Sequence, residues 1–88
     1  MKPNTIIIDP KDNVAIALQN ISKGAQVVLP DGRKFPSLAD IPYSHKVLLA
    51  DLSVGDSIIK YGELIGQATE NIHQGDWIHT HNLTAEEV

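Results

Sequence analysis

Three stretches of this chain share one frame, apolar-x-x-Gly-x-x-apolar: Ile21-Ser22-Lys23-Gly24-Ala25-Gln26-Val27, Leu52-Ser53-Val54-Gly55-Asp56-Ser57-Ile58 and Ile72-His73-Gln74-Gly75-Asp76-Trp77-Ile78. In each, a strand arrives, its apolar residue tucks under, a glycine takes the positive φ that the turn demands, and a second strand leaves with its apolar side chain on the core side. Three such corners in 88 residues predict a small, loop-rich, all-β domain. The intervals between Gly24, Gly55 and Gly75 are unequal, so the corner is repeated without forming a solenoid.

The rest of the apolar sequence agrees. It comes in short β-branched clusters, Thr5 to Ile8, Val14 to Leu18, Ala25 to Leu29, Lys46 to Leu49, Ser57 to Ile59 and Asp76 to Ile78, separated by Gly, Pro, Asn and Asp. Pro30-Asp31-Gly32 predicts a hairpin tip between Val27 and Phe35. Helical competitors are weak, because Val14 to Ile21 is short and a helix below about 12 residues needs tertiary support. Leu38 to Ile41, ahead of Pro42, predicts a single helical turn, and Thr84-Ala85-Glu86-Glu87 reads as the start of a capped helix. Residues 1–88 are expected to form one domain, since a second core would need more chain.

Charge and composition narrow the partners. Seven Lys and Arg against eleven Asp and Glu give a net charge of −4, which offers no basic footprint for nucleic acid. The longest apolar runs, Ile6 to Ile8 and Val47 to Ala50, fall far short of the ~20 residues of a membrane span, so no membrane partner is expected. The three isoleucines before Asp9-Pro10 are also too few for a signal peptide, which makes the expected location cytoplasmic. Without cysteine, any metal site would draw on the four histidines and the carboxylates.

The residues after each corner separate architecture from chemistry. The first is followed by inert Val28-Leu29-Pro30, the second by Ile59-Lys60-Tyr61-Gly62-Glu63 and the third by His79-Thr80-His81-Asn82. The fold therefore does not require the ionisable groups of the second and third copies. Continued strand alternation would put Trp77, His79 and His81 on one face, where two imidazoles can converge on Zn²⁺, Fe²⁺ or Mn²⁺ with His45 as the best in-chain third ligand. Solvent-facing strand histidines are the bland alternative. His73 sits where the other corners carry serine and is expected to be exposed and idle. Lys46 and Lys60 interrupt apolar strands: each is either a snorkelling or edge-guarding charge, or a cation for a substrate carboxylate or an amine of lowered pKa. Tyr61 reads as packing, Glu63 as solvated and Trp77 as core or interface.

The runs Ile41-Pro42-Tyr43-Ser44-His45-Lys46-Val47, Ile59-Lys60-Tyr61-Gly62-Glu63-Leu64-Ile65-Gly66 and Ile72-His73-Gln74-Gly75-Asp76-Trp77-Ile78-His79-Thr80-His81-Asn82-Leu83 resemble the N-terminal domain of the altronate and galactarate dehydratase family. Asp12-Asn13-Val14-Ala15 and Ile21-Ser22-Lys23-Gly24 fit its opening, so the similarity covers nearly the whole chain. The resemblance implies a SAF-type β-clip fold, like that of type III antifreeze proteins, and a domain either fused to a much larger dehydratase domain or encoded as a separate small subunit. It implies removal of water, or of sulfite, from a sugar acid or sulfonated hydroxy acid, with iron(II) or manganese(II) stabilising the enediolate. Carried over by position, Lys46, Lys60 and Tyr61 are the catalytic candidates, His45, Glu63 and Asn82 the substrate-binding ones, and His79 and His81 the metal ligands. Ser44 departs from the glycine more usual in the family. The expected partners are the large dehydratase polypeptide, the substrate and a second copy of the chain; the alternative is a non-catalytic sugar-acid-binding or interaction module, one form of which dimerises through Trp77.

Overall fold

The computed structural model describes residues 2–85. Among them are nine strands and no helix: β1 (Thr5–Ile6), β2 (Val14–Ala17), β3 (Gln26–Val28), β4 (Lys34–Pro36), β5 (Lys46–Leu48), β6 (Ser57–Lys60), β7 (Glu63–Ala68), β8 (Trp77–Ile78) and β9 (Leu83–Ala85). They form an antiparallel sheet in the order β1-β2-β5-β8, a β3-β4 hairpin and a three-stranded sheet β6-β7-β9. The hairpin pairs Val27 with Phe35 across the Pro30-Asp31-Gly32 tip, as the sequence predicts.

The central sheet is buried on both faces because its strands alternate between two apolar sets. Ala15, Ala17 and Val47 pack with Val27, Leu29, Phe35, Ile21 and Ile41 in one core; Val14, Leu48 and Ile78 pack with Ile58, Ala68 and Ile72 in the other. Fully burying one such side chain is worth roughly 1.5–3 kcal/mol, so the cores, and not ladders of two to four residues, hold the sheet together. At one end the second face runs out of cover. The cross-strand row Ile6, Ile16, Lys46, Ile78 passes from a 40% exposed isoleucine to a fully buried one, with Lys46 half-buried between.

The corners are four, not three. Asp40-Ile41-Pro42-Tyr43-Ser44-His45-Lys46-Val47 repeats the frame with Ser44 in the glycine slot at φ 66°, beside 86°, 88° and 95° at Gly24, Gly55 and Gly75. In all four the residue after this slot donates its N–H three residues back, from Ala25 to Ser22, His45 to Pro42, Asp56 to Ser53 and Asp76 to His73. The corners lock in reciprocal pairs. Ile21 bridges Ile41 and Leu52 bridges Ile72. Within the first pair Asn20 Oδ1 accepts the Tyr43 N–H while Asp40 Oδ1 accepts that of Lys23; within the second Asp51 Oδ1 accepts that of Gln74 and Asn71 Oδ1 that of Val54.

Three expectations are corrected. Leu38 to Ile41 bends without a helical turn, because the Leu38 N–H is committed to the Gly75 carbonyl and Ile41 to its bridge with Ile21. Thr84 lies in β9, paired with Gln67, and not at a helix start; Glu86 and Glu87 lie outside the described residues. β7, the longest strand, falls outside the apolar clusters that predict strands, since Glu63-Leu64-Ile65-Gly66-Gln67-Ala68 does not alternate.

Candidate functional site

β8 stops at Ile78, and the chain turns through His79 to Asn82. Asn82 makes this turn. Its Oδ1 accepts the His79 N–H at 3.0 Å, its Nδ2 donates to the Trp77 carbonyl at 2.8 Å, and its own N–H donates to the His79 carbonyl at 3.1 Å. Asn82 is only 3% exposed, and its carboxamide, expected to bind substrate, bonds within the turn. His79 and His81 thus do not sit on an extended strand, and alternation is not what brings them together.

They gather around Trp77 instead. The imidazole of His79 stacks on the indole with centroids 5.0 Å apart and planes 6° from parallel, while that of His81 lies 5.3 Å from it, tilted 46°. His45 completes the group at 5.6 Å from Trp77 and 5.2 Å from His79. The Trp77 indole donates from Nε1 to His45 Nδ1 at 3.1 Å. Trp77 is itself half-buried and packed on the first core, so the cluster has a firm base. Sequence reasoning misses its organising role; the available signal is the chain's one tryptophan standing two residues before His79.

The corner frame shows that His45 is spare to the fold. Asp56 and Asp76, one residue past the glycine of their corners, accept the N–H of Ser53 at 2.8 Å and of His73 at 2.7 Å. His45 occupies the equivalent slot after Ser44, yet its ring turns away to Trp77. His73, as expected, is exposed, and its 3.7 Å approach to exposed Asp51 is a pair of the kind that contributes little.

The amines form a second group on another side. Trp77 pairs with Val47 and Ile78 with Lys46, so adjacent positions send Lys46 and the indole to opposite faces of the central sheet. Lys46 lies near Lys60: burial first, then the Lys60 charge, lowers its pKa. Among the described residues no carboxylate is in ion-pair range of either lysine. Lys60 Nζ lies 4.7 Å from the Tyr61 ring centroid. Tyr61 and Gly62 form the two-residue hairpin between β6 and β7 with φ 57° and 74°, the doubly left-handed turn that suits the twist of antiparallel strands. Glu63 is exposed across that hairpin from Lys60. Asp12 braces the tip: burial opposes its charge, but the amides of Gly62, Asp9, Tyr61 and Ile8 together outweigh burial and hold its carboxyl below the ordinary value.

A lowered lysine is a liability in the folded state. Between its folded pKa and the ordinary 10.5 the unfolded chain binds more protons, so stability rises with pH through that window, and below it the cost of the buried charge is constant. Lys46→Met keeps the apolar stem and removes the charge. It is expected to raise the urea midpoint at neutral pH and to flatten its rise toward alkaline pH; a lower midpoint would contradict this.

The donors do not by themselves make the expected iron(II) or manganese(II) site. Among the described residues no three His, Asp or Glu side chains could hold a metal ion together, and His45 Nδ1 is already engaged by the indole. A cavity of about 170 Å³ adjoins the cluster at Trp77, His81 and Asn82, but Glu70 and Asp76 also line it, which suits an anionic sugar acid poorly.

The model of the altronate/galactarate dehydratase SAF domain matches residues 3–86. This chain belongs to that family. Its all-β architecture is that of a SAF domain. It is 40% identical to altronate dehydratase of Bacillus subtilis (strain 168) over 77 residues, covering 88% of this chain and 15% of that protein. Against galactarate dehydratase (L-threo-forming) of Escherichia coli (strain K12) it is 40% identical over 73 residues, 83% of this chain and 14% of the other. Against (2R)-sulfolactate sulfo-lyase subunit alpha of Paracoccus pantotrophus it is 45% identical over 58 residues, 64% of this chain and 87% of the subunit. The SAF domain thus spans a small fraction of the two dehydratases and matches most of a separate sulfo-lyase subunit.

Proposed function

We propose that this SAF domain contributes imidazole contacts to the active site of a cytoplasmic hydro-lyase that dehydrates a sugar acid, a site completed by a larger dehydratase polypeptide. The observation that carries the reading is the gathering of His45, His79 and His81 on one indole, at positions where the corner frame needs none of them.

Dehydration of a hydroxy acid needs a base for the α-proton, an acid for the departing hydroxyl and stabilisation of the enediolate. His79 enters its turn through backbone groups, which frees its imidazole for proton transfer. His81 is exposed at the tip of the same turn. Metal ions supply Lewis-acid stabilisation in such reactions; here the remaining ligands would come from the larger polypeptide, with His81 as this domain's contribution. Lys46, on the opposite face of the central sheet, and Lys60 near it on β6 do not share that ligand in this reading.

In the enzyme assembled with its larger polypeptide, His79→Ala and His81→Ala are each expected to lower turnover by about 10²–10⁴-fold, the range for loss of a positioned acid or base. The SAF domain alone is expected to dehydrate neither altronate nor galactarate. Unchanged turnover and metal content in both variants, or activity of the lone domain, would overturn the proposal.

A further inference from the structure

We propose that Trp77 holds His45 as the Nε2–H tautomer, which makes His45 a hydrogen-bond donor to a ligand oxygen and excludes it from metal ligation. The indole Nε1–H can only donate, so the nitrogen 3.1 Å from it, His45 Nδ1, must present its lone pair. A neutral imidazole carries one N–H, which then sits on Nε2.

The ring has little freedom to escape this arrangement. The His45 backbone is tied at both ends, its N–H to the Pro42 carbonyl at 3.0 Å and its carbonyl to the Ala17 N–H at 2.9 Å. The rings of Trp77 and His79 flank the imidazole at 5.6 and 5.2 Å. A metal ion on Nε2 would force the proton to Nδ1, where it would face the indole N–H. An ion on Nδ1 would have to displace the indole. Either way ligation breaks the Trp77 hydrogen bond, whereas a carboxylate or hydroxyl oxygen can accept from Nε2–H without disturbing it. Trp77 is thus a positioning residue and acts through His45.

The assignment to a substrate oxygen rests on the hydro-lyase reading above; the tautomer does not. The test is NMR on the full ¹⁵N-labelled chain at about pH 8.5, two units above the ordinary imidazole value of about 6.5. Expected are a resolvable N–N coupling from Trp77 Nε1 to His45 Nδ1, a protonated-type shift at Nε2, and persistence of both when Mn²⁺ alone is added. Trp77→Phe is expected to abolish the coupling and return the ring to a mixture of tautomers. A protonated Nδ1 in the unmodified chain, or loss of the coupling with paramagnetic broadening centred on His45 when Mn²⁺ is added, would overturn the proposal. Neither outcome depends on turnover, so failure of the hydro-lyase reading would leave the spectroscopic result standing, and the reverse.

Discussion

Gly75→Ala is expected to destabilise the domain by about 2–5 kcal/mol, and Gly24→Ala or Gly55→Ala by only about 1–2 kcal/mol. All three glycines share a left-handed φ, so the conformational penalty is common to them. The difference lies in what a methyl group would meet. At Gly24 and Gly55 nothing lies within 4 Å of an added Cβ, whereas at Gly75 it would stand 2.5 Å from the Pro36 carbonyl oxygen and 3.3 Å from the Leu38 amide nitrogen. Both are backbone atoms, and neither can swing aside as a side-chain tip would. The Gly75 carbonyl also receives the Leu38 N–H, so moving the corner breaks that bond too. Against a total stability of about 5 kcal/mol for a marginal small domain, the loss approaches unfolding. Urea denaturation of the three variants checks this, and equal losses at all three sites would refute it.

Asn82→Ala combines a stability loss with a functional one. The substitution strips partners from the His79 N–H and the Trp77 carbonyl in a partly buried turn, where each group left unpaired and shut off from water costs about 1–3 kcal/mol. The larger consequence is geometric, because the same carboxamide sets the turn on which His79 stacks and His81 approaches the indole. Trp77 is the only tryptophan, so its fluorescence reports on this cluster alone. A red-shifted emission and weakened near-ultraviolet dichroism are expected under conditions where the variant remains folded. Turnover in the assembled enzyme is expected to fall as far as for His79→Ala, because the turn that Asn82 sets carries both imidazoles. An unchanged emission spectrum with a folded variant would show that the turn holds without Asn82.

How much of the fold and site is legible in the sequence depends on where the physics is local. A glycine flanked by apolar residues three positions away on either side is a local statement about backbone dihedral and burial, and the three corners of that kind are present. The fourth escapes because Ser44 occupies the left-handed slot, and serine does not announce that conformation. The reciprocal clamps of Asn20, Asp40, Asp51 and Asn71 act across 17 to 23 residues, a range that no window of periodicity reaches. His79 does lie near His45, and His79 and His81 both lie against Trp77, but strand alternation is the wrong reason, since the turn and its buried amide bring them there. The separation of the lysines from the imidazoles needs the register, because Lys46 adjoins His45 in sequence and yet leaves the other face of the sheet.

The reciprocal clamps have a consequence for how the chain could be cut or extended. Both members of the first pair lie before Leu49 and both members of the second after Ala50, an exposed residue. That junction is a seam: a graft there lengthens one loop, at about 0.6 kcal/mol per doubling, and severs neither fastening. A linker or reporter spliced at Ala50 would leave the aromatic cluster undisturbed, whereas one placed inside either half would pull a corner away from the mate that clasps it.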